Sequence, residues 1–147
     1  MRPRTTTAVG LAAALLLGGC QADDGAPPAV SADPTECVRA AQCPTLPPDR
    51  FAELVAAEDV VVVDVRTPEE FATGHLAGAV NLDVTAPDFT EAVAGLDPDG
   101  VYALYCRSGN RSRTAAQVMS ASGITATADL AGWIQAWSQA GLAVTTD

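Results

Sequence analysis

Apolar residues follow two alternating patterns between positions 45 and 147. Continuous apolar runs, such as 60–63 and 101–105, are typical of strands buried on both faces of a parallel sheet. Between these runs, apolar residues recur at helical spacing, as Phe51, Leu54 and Val55 do. Strands are predicted at 60–63, 79–82, 101–105 and 126–130, and helices at 47–57, 88–94, 112–122 and around Trp133, Ile134 and Trp137.

This order of elements predicts the fold class. Strands that alternate with helices indicate an α/β domain with a mostly parallel sheet and helices on both sides. The segment 45–147 is long enough for one such domain with a single core. Ligands of parallel sheets bind at the carboxyl ends of the strands, which is where Asp64 and Cys106 fall.

The first 19 residues have the pattern of an export signal. Arg2 and Arg4 precede an apolar run at 8–17, which is too short to span a bilayer well. The run closes with Leu17-Gly18-Gly19-Cys20, which resembles the lipobox of bacterial lipoproteins. That resemblance implies cleavage before Cys20, a lipid on its sulfur, and an extracytoplasmic protein anchored to the bacterial membrane. The alternative is an ordinary secretory signal with an incidental cysteine.

Residues 20–44 are predicted to be a flexible tether that starts at the lipidated cysteine. This segment is small, polar and proline-containing, with little apolar surface to bury. The chain therefore divides into a signal at 1–19, a tether at 20–44 and a folded domain at 45–147.

The charge balance limits the partners of the domain. Without residues 1–19, 18 acidic residues face six arginines, a formal charge of −12. Such a body repels nucleic acid and anionic lipid surfaces, so we expect neither as a partner, and the membrane is reached only through the lipid. Arg107, Arg111 and Arg113 nevertheless cluster around Cys106. A positive spot on an acidic body indicates a small anionic ligand.

Cys106 is the candidate nucleophile. It ends a predicted strand, and a tight loop then leads into a helix that begins near Arg111. Backbone N–H groups at a helix N-terminus favour an anion, and neighbouring arginines favour the thiolate form of a cysteine. The alternative is a buried structural cysteine, because free cysteine packs as a small apolar side chain.

The remaining cysteines, Cys37 and Cys43, are candidates for a small disulfide loop in an exported protein. A redox role, in which one of them resolves a modified Cys106, is the alternative. His75 is the only histidine, so we expect no metal site, and no motif calls for a cofactor.

Three motifs together resemble the rhodanese family. They are 64–71 with 74–82 (DVRTPEEF and GHLAGAVNL), 105–112 (YCRSGNRS), and 130–133 (LAGW) with Trp137. The chain departs from the family at Ala131, where the family often has the first glycine of a pair. The resemblance implies a three-layer rhodanese-like fold and a sulfurtransferase. In such an enzyme Cys106 takes a sulfane sulfur from a donor such as thiosulfate and passes it, as a persulfide, to cyanide, a thiol or a protein.

The resemblance also implies roles for the residues near Cys106. Gly109 permits the tight turn, Arg111 supports the loop, and Arg107 either meets the substrate or is simply solvated. Asp64 and Arg66 are implied to hold the structure near the site, and the simplest interpretation of the two is a structural salt bridge. Glu70 is implied to pair with an arginine. His75 is expected to be structural. Trp133 and Trp137 lie one helical turn apart, and this spacing predicts that both are core. The implied active-site loop consists of Arg107, Ser108, Gly109, Asn110, Arg111 and Ser112.

Loop length separates this chain from the related phosphatases. Four residues lie between Cys106 and Arg111, whereas the cell-cycle and tyrosine phosphatases have five. The shorter loop is expected to fit one sulfur and not a tetrahedral phosphate. Two alternatives to an enzyme remain: a rhodanese-like binding module without rapid turnover, and a thiol-redox or persulfide sensor in which Cys37 or Cys43 resolves Cys106.

Overall fold

The computed structural model describes residues 32–147. The predicted signal, the lipidation site at Cys20 and the first part of the tether lie outside the described residues. Within 32–147, no helix is both long enough and apolar enough to cross a membrane.

The centre of the fold is a five-stranded sheet in the order β1-β5-β4-β2-β3. Every strand pairs in parallel with its neighbours. This confirms the α/β class and makes the sheet parallel throughout. The strands are β1 (Thr45–Leu46), β2 (Val60–Asp64), β3 (Val80–Asn81), β4 (Val101–Tyr105) and β5 (Thr127–Leu130).

In the described part of the chain, six helices connect and flank the strands. Three of them start with a proline in the first turn, where the missing N–H costs no helical hydrogen bond. The helices are α1 (Pro34–Arg39), α2 (Pro48–Val55), α3 (Pro68–Ala72), α4 (Phe89–Ala94), α5 (Asn110–Ala121) and α6 (Trp133–Gln139).

Two apolar clusters, one on each face of the sheet, form the core. Successive strand residues point to opposite faces, so Val62 belongs to one cluster and Val63 to the other. Side chains of α1, α2 and α6 complete the first cluster, and side chains of α4 and α5 complete the second. The result is the three-layer arrangement that the resemblance implied.

The N-terminal boundary of the folded domain differs from the expectation. The domain was predicted to begin at residue 45, after a flexible tether, but α1, which lies inside the predicted tether, is already part of the fold. Asp33 caps this helix by accepting hydrogen bonds from the N–H groups of Thr35 and Glu36, and Val38 is fully buried in the first cluster. A helix of six residues is too short to show a clear apolar period, which is why the pattern did not predict it.

Candidate active site

Two adjacent strands bring the main candidate residues to one edge of the sheet. β2 and β4 run in register, with Asp64 opposite Tyr105. Cys106 follows Tyr105 directly, so Asp64 and Cys106 both lie at the carboxyl ends of adjacent strands. This arrangement confirms the prediction that both residues share one end of the sheet.

The sulfur of Cys106 is held by the loop that follows β4. Cys106 is fully buried. The N–H of Gly109 donates to its Sγ at 2.9 Å, and the Ser112 hydroxyl lies 3.2 Å from the same atom. Gly109 adopts φ 74°, a left-handed conformation that favours glycine, and it directly precedes α5. The sulfur therefore lies at a helix N-terminus and accepts a hydrogen bond from the Gly109 N–H, an environment that stabilises a negative charge.

Glu70 and Arg111 join α3 to the active-site loop. The Arg111 guanidinium donates two hydrogen bonds to the Glu70 carboxylate, at 2.5 and 2.9 Å. These bonds lower the pKa of Glu70 to about 2. Glu70 also completes a capping box with Thr67 at the start of α3. Because α3 holds the carboxylate, the guanidinium is fixed at the first turn of α5, close to Cys106.

Asp64 and Arg66 form a buried ion pair behind the loop. The Arg66 Nε donates to Asp64 at 2.9 Å, and its Nη2 donates to the carbonyl of Gly74 at 2.7 Å. The guanidinium also lies over the ring of Tyr105, 5.6 Å from its centroid. Asp64 and Arg66 therefore pair with groups inside the protein. This agrees with the interpretation that they form a structural salt bridge that supports the site.

The rest of the loop faces solvent. Arg107, Ser108 and Asn110 are exposed, and the Arg113 guanidinium donates to the Asn110 side chain at 3.4 Å. Arg107 forms no ion pair with any of residues 32–147. Its charge is therefore available to an anion that approaches the loop from outside.

His75 has a structural environment. The ring is buried, its Nδ1 lies 3.0 Å from the carbonyl of Phe71, and the two rings stack with centroids 3.7 Å apart. Its backbone exchanges two hydrogen bonds with Thr145, which ties down the C-terminal tail. These contacts agree with a packing role for His75.

Trp133 corrects one expectation. It was predicted to be core together with Trp137, but 38% of Trp133 is exposed whereas only 7% of Trp137 is. Trp133 has φ 64° and follows Gly132 at φ 70°. Helical spacing misled because Trp133 lies at the start of α6 on non-helical backbone. Its indole instead lies against Gly109.

Asp129 is a second residue that the sequence reasoning missed. It lies on β5, and burial raises its pKa, an effect that interaction with the Ser112 hydroxyl opposes. Its Oδ1 atom is buried and finds no hydrogen-bond partner in the described part of the chain. Asp129 therefore faces the serine that contacts Cys106, which only the packing of β5 beside β4 reveals.

Cys37 and Cys43 are joined by a disulfide, with their Cα atoms 5.5 Å apart. Cys43 packs against the first cluster, whereas Cys106 belongs to the second. The sheet therefore separates the disulfide from the candidate nucleophile, which does not favour a resolving role for either cysteine. Residues 32–147 hold no group of three or more His, Cys, Asp or Glu side chains that suits a metal ion.

This fold and site define a class of protein: a three-layer parallel α/β domain with a buried free cysteine in a short loop at a helix N-terminus. The profile of the Rhodanese-like domain family matches residues 47–140. The chain belongs to the rhodanese-like domain family.

Individual relatives agree with this assignment. The thiosulfate sulfurtransferase GlpE of Pseudomonas putida is 34% identical over 93 residues, which cover 63% of this chain and 82% of that protein. A sulfurtransferase of Allochromatium vinosum is 36% identical over 91 residues, 62% of this chain and 83% of its own. The crystal structure of a rhodanese-related protein from Thermoplasma volcanium has a TM-score of 0.62 and 29% identity, covering 70% and 98% of the two chains. These similarities support sulfurtransferase function in general.

Proposed function

We propose that this chain transfers a sulfane sulfur from a small anionic donor such as thiosulfate to a thiophilic acceptor, through a persulfide on Cys106. The observation that carries the proposal is the environment of the Cys106 sulfur. It lies buried at the N-terminus of α5, 2.9 Å from the Gly109 nitrogen and 3.2 Å from the Ser112 hydroxyl oxygen. The Gly109 N–H and the N-terminus of α5 stabilise an anionic sulfur before and after it takes up a second sulfur atom.

In the first half of the reaction, the Cys106 thiolate attacks the outer sulfur of thiosulfate. A new S–S bond forms on Cys106, the S–S bond of thiosulfate breaks, and sulfite leaves with the bonding electron pair. The step needs no external oxidant or reductant and no proton transfer. It is covalent catalysis of the kind that gives ping-pong kinetics.

In the second half, the acceptor attacks the outer sulfur of the persulfide. For cyanide the product is thiocyanate, and for a thiolate it is a new persulfide. The bond between Sγ and the outer sulfur breaks, and its electron pair returns to Cys106 as the thiolate. The enzyme is then ready for another donor.

The charges around the loop suit an anionic donor. Exposed Arg107 offers a positive charge on a body that is otherwise acidic, so it attracts the donor toward the loop. Arg111, fixed by Glu70, keeps a second positive charge next to the sulfur. We assign Arg107 to donor capture and Arg111 to support of the loop and its negative charge.

Intact-mass measurement tests the proposal. The full chain is incubated with thiosulfate, freed of small molecules and weighed by mass spectrometry. We expect one extra sulfur atom, which cyanide removes and which Cys106→Ser never acquires. The double variant Cys37→Ala/Cys43→Ala is the matched control and should still acquire it. If wild-type protein takes up no sulfur from thiosulfate or from other sulfane donors, the proposal is wrong.

We also propose an extracytoplasmic location, with a lipid on Cys20 as the anchor. The support is the basic start, the apolar run at 8–17 and the Leu-Gly-Gly-Cys ending. The full chain expressed in a bacterium should fractionate with membranes, and Cys20→Ser should release it. A cellular protein that retains residues 1–19, or a Cys20→Ser variant that stays with membranes, would contradict this location.

A further inference from the structure

Trp133 is held in a backbone conformation that does not suit its side chain. Its φ of 64° lies in the left-handed region, where a residue with a Cβ is strained by about 1–2 kcal/mol. For a bulky residue this conformation is a genuine outlier, and such strain concentrates at functional sites. The strained backbone conformation of Trp133 is therefore not explained by packing of its side chain in the core.

The side chain of Trp133 lies against the active-site loop. A methyl group built on Gly109 would lie only 2.2 Å from the indole Nε1, so the ring occupies the space directly beside Gly109. The backbone is joined to the same loop, because the N–H of Ile134 donates to the carbonyl of Cys106 at 3.2 Å. The indole is thus a neighbour of the residue whose N–H holds the Cys106 sulfur.

Trp137 provides the contrast on the same helix. Its ring is buried, meets Phe51 edge to face at 6.2 Å, and its Nε1 donates to the carbonyl of Ala143 at 2.9 Å. Trp133 is more than one-third exposed, and none of residues 32–147 accepts a hydrogen bond from its indole. Trp137 therefore supplies the core contacts of α6. Trp133 instead exposes an aromatic ring to solvent beside the loop that follows Cys106.

We propose that Trp133 is a specificity-determining residue that limits the size of the acceptor able to reach the sulfur on Cys106. Cys106 is fully buried, so an acceptor must approach past the residues that cover the loop. The indole fills the space beside Gly109, so a compact nucleophile such as cyanide passes more easily than a bulky thiol. This inference rests on the sulfur transfer proposed above.

The substitution that removes the indole also suits the backbone conformation at position 133. Trp133→Gly removes the indole and places at φ 64° the residue that adopts it without strain. The relief of strain offsets the lost contacts of a ring that is only partly buried, so we expect no fall in the urea midpoint. Trp133→Phe keeps an aromatic ring at the same place. Comparison of Trp133→Gly with Trp133→Phe therefore separates the effect of side-chain size from any effect on folding.

Alkylation of Cys106 measures access without requiring sulfur transfer. Rates are compared for iodoacetamide and for a fluorescein maleimide, and peptide mapping counts only the modification of Cys106. In Trp133→Gly the ratio of maleimide rate to iodoacetamide rate should rise about tenfold, the range expected for relief of a steric restriction in a pocket. Trp133→Phe, which keeps an aromatic ring, should raise this ratio less than Trp133→Gly does. An unchanged ratio in Trp133→Gly would overturn the proposal.

Turnover provides the second measurement. With thiosulfate as donor, kcat/KM is compared for glutathione and for cyanide as acceptors. Trp133→Gly should raise the glutathione-to-cyanide ratio, and Gln139→Ala, at the exposed end of α6, is the matched control that should not. A lower ratio in Trp133→Gly would mean that the indole binds bulky acceptors, which overturns the proposal.

The two measurements distinguish failure of this inference from failure of the proposed function. If wild type acquires no sulfur but alkylation becomes less size-selective in Trp133→Gly, sulfur transfer is refuted and the assignment of Trp133 to the entrance stands. If sulfur transfer proceeds and neither ratio changes, the assignment of Trp133 alone is refuted.

Discussion

The disulfide between Cys37 and Cys43 should stabilise the domain without taking part in its chemistry. The two residues are six positions apart, and Cys37 is fully buried in α1. In the chain-entropy account, closing so short a loop contributes about 2 kcal/mol. The double variant Cys37→Ala/Cys43→Ala should therefore lose about 2–3 kcal/mol of unfolding free energy, the upper value including lost packing of the buried sulfur. The corresponding fall in Tm is about 10 °C.

Urea unfolding followed by circular dichroism measures this loss. Wild type in the presence of a thiol reductant should show the same lowered midpoint as the double variant, and the reductant should have no further effect on the variant. The slope of unfolding free energy against urea should stay constant, which shows that the change is one of stability. Cys106 is unaltered in both proteins, so each can also be assayed for sulfur uptake.

Two results would refute this reasoning. If the variant unfolds within about 0.5 kcal/mol of wild type, the disulfide does not hold α1 on the domain. If the variant stays folded but cannot pass sulfur on, the cysteine pair takes part in the chemistry, and the redox alternative replaces the present interpretation.

Three further predictions concern the site. Asp64→Asn leaves Arg66 as an uncompensated buried charge and should lower the unfolding free energy by about 3 kcal/mol, measured by urea denaturation. Gly109→Ala should lower the unfolding free energy by about 1–3 kcal/mol, because its φ is 74° and its new methyl meets the Trp133 ring; the loss should be smaller in a Trp133→Gly background. Since the pKa of Glu70 falls from 4.5 to about 2 on folding, its ion pair stabilises the protein above pH 4.5, and that contribution is lost as the pH falls toward 2. Between those pH values wild type should lose about 1 kcal/mol more than Glu70→Gln, and parallel pH profiles would contradict the role of this pair.

The pattern of the sequence predicted the central strands well. The predicted strand at 101–105 coincides with β4, in which every residue is buried. Uninterrupted apolar runs of this kind occur where both faces of a strand are covered, and the pattern is contained within the strand itself. The edge strand β1 has only two residues, too few for any period, and the pattern did not predict it.

Contacts between distant segments required the structure. Glu70 and Arg111 are 41 positions apart, and the family resemblance implied only that Glu70 pairs with some arginine. The exposed position of Trp133 accompanies the left-handed backbone of Gly132 and Trp133 at the start of α6. The spacing of four residues to Trp137 carries no information about that backbone conformation, so the same pattern that identified the buried tryptophan misplaced the exposed one.

The sequence by itself determined the α/β class, the central strands and the position of the loop after Cys106, because each depends on residues close together in the chain. The four-residue interval between Cys106 and Arg111 is of this kind, and so is the glycine at the turn. Only the tertiary structure decided which side chains surround that loop. The side chains of Glu70, Asp129 and Trp133 reach it from α3, β5 and α6, and their positions follow from how those elements pack against the sheet. Packing of this kind depends on the whole domain, which is why no local pattern contains it.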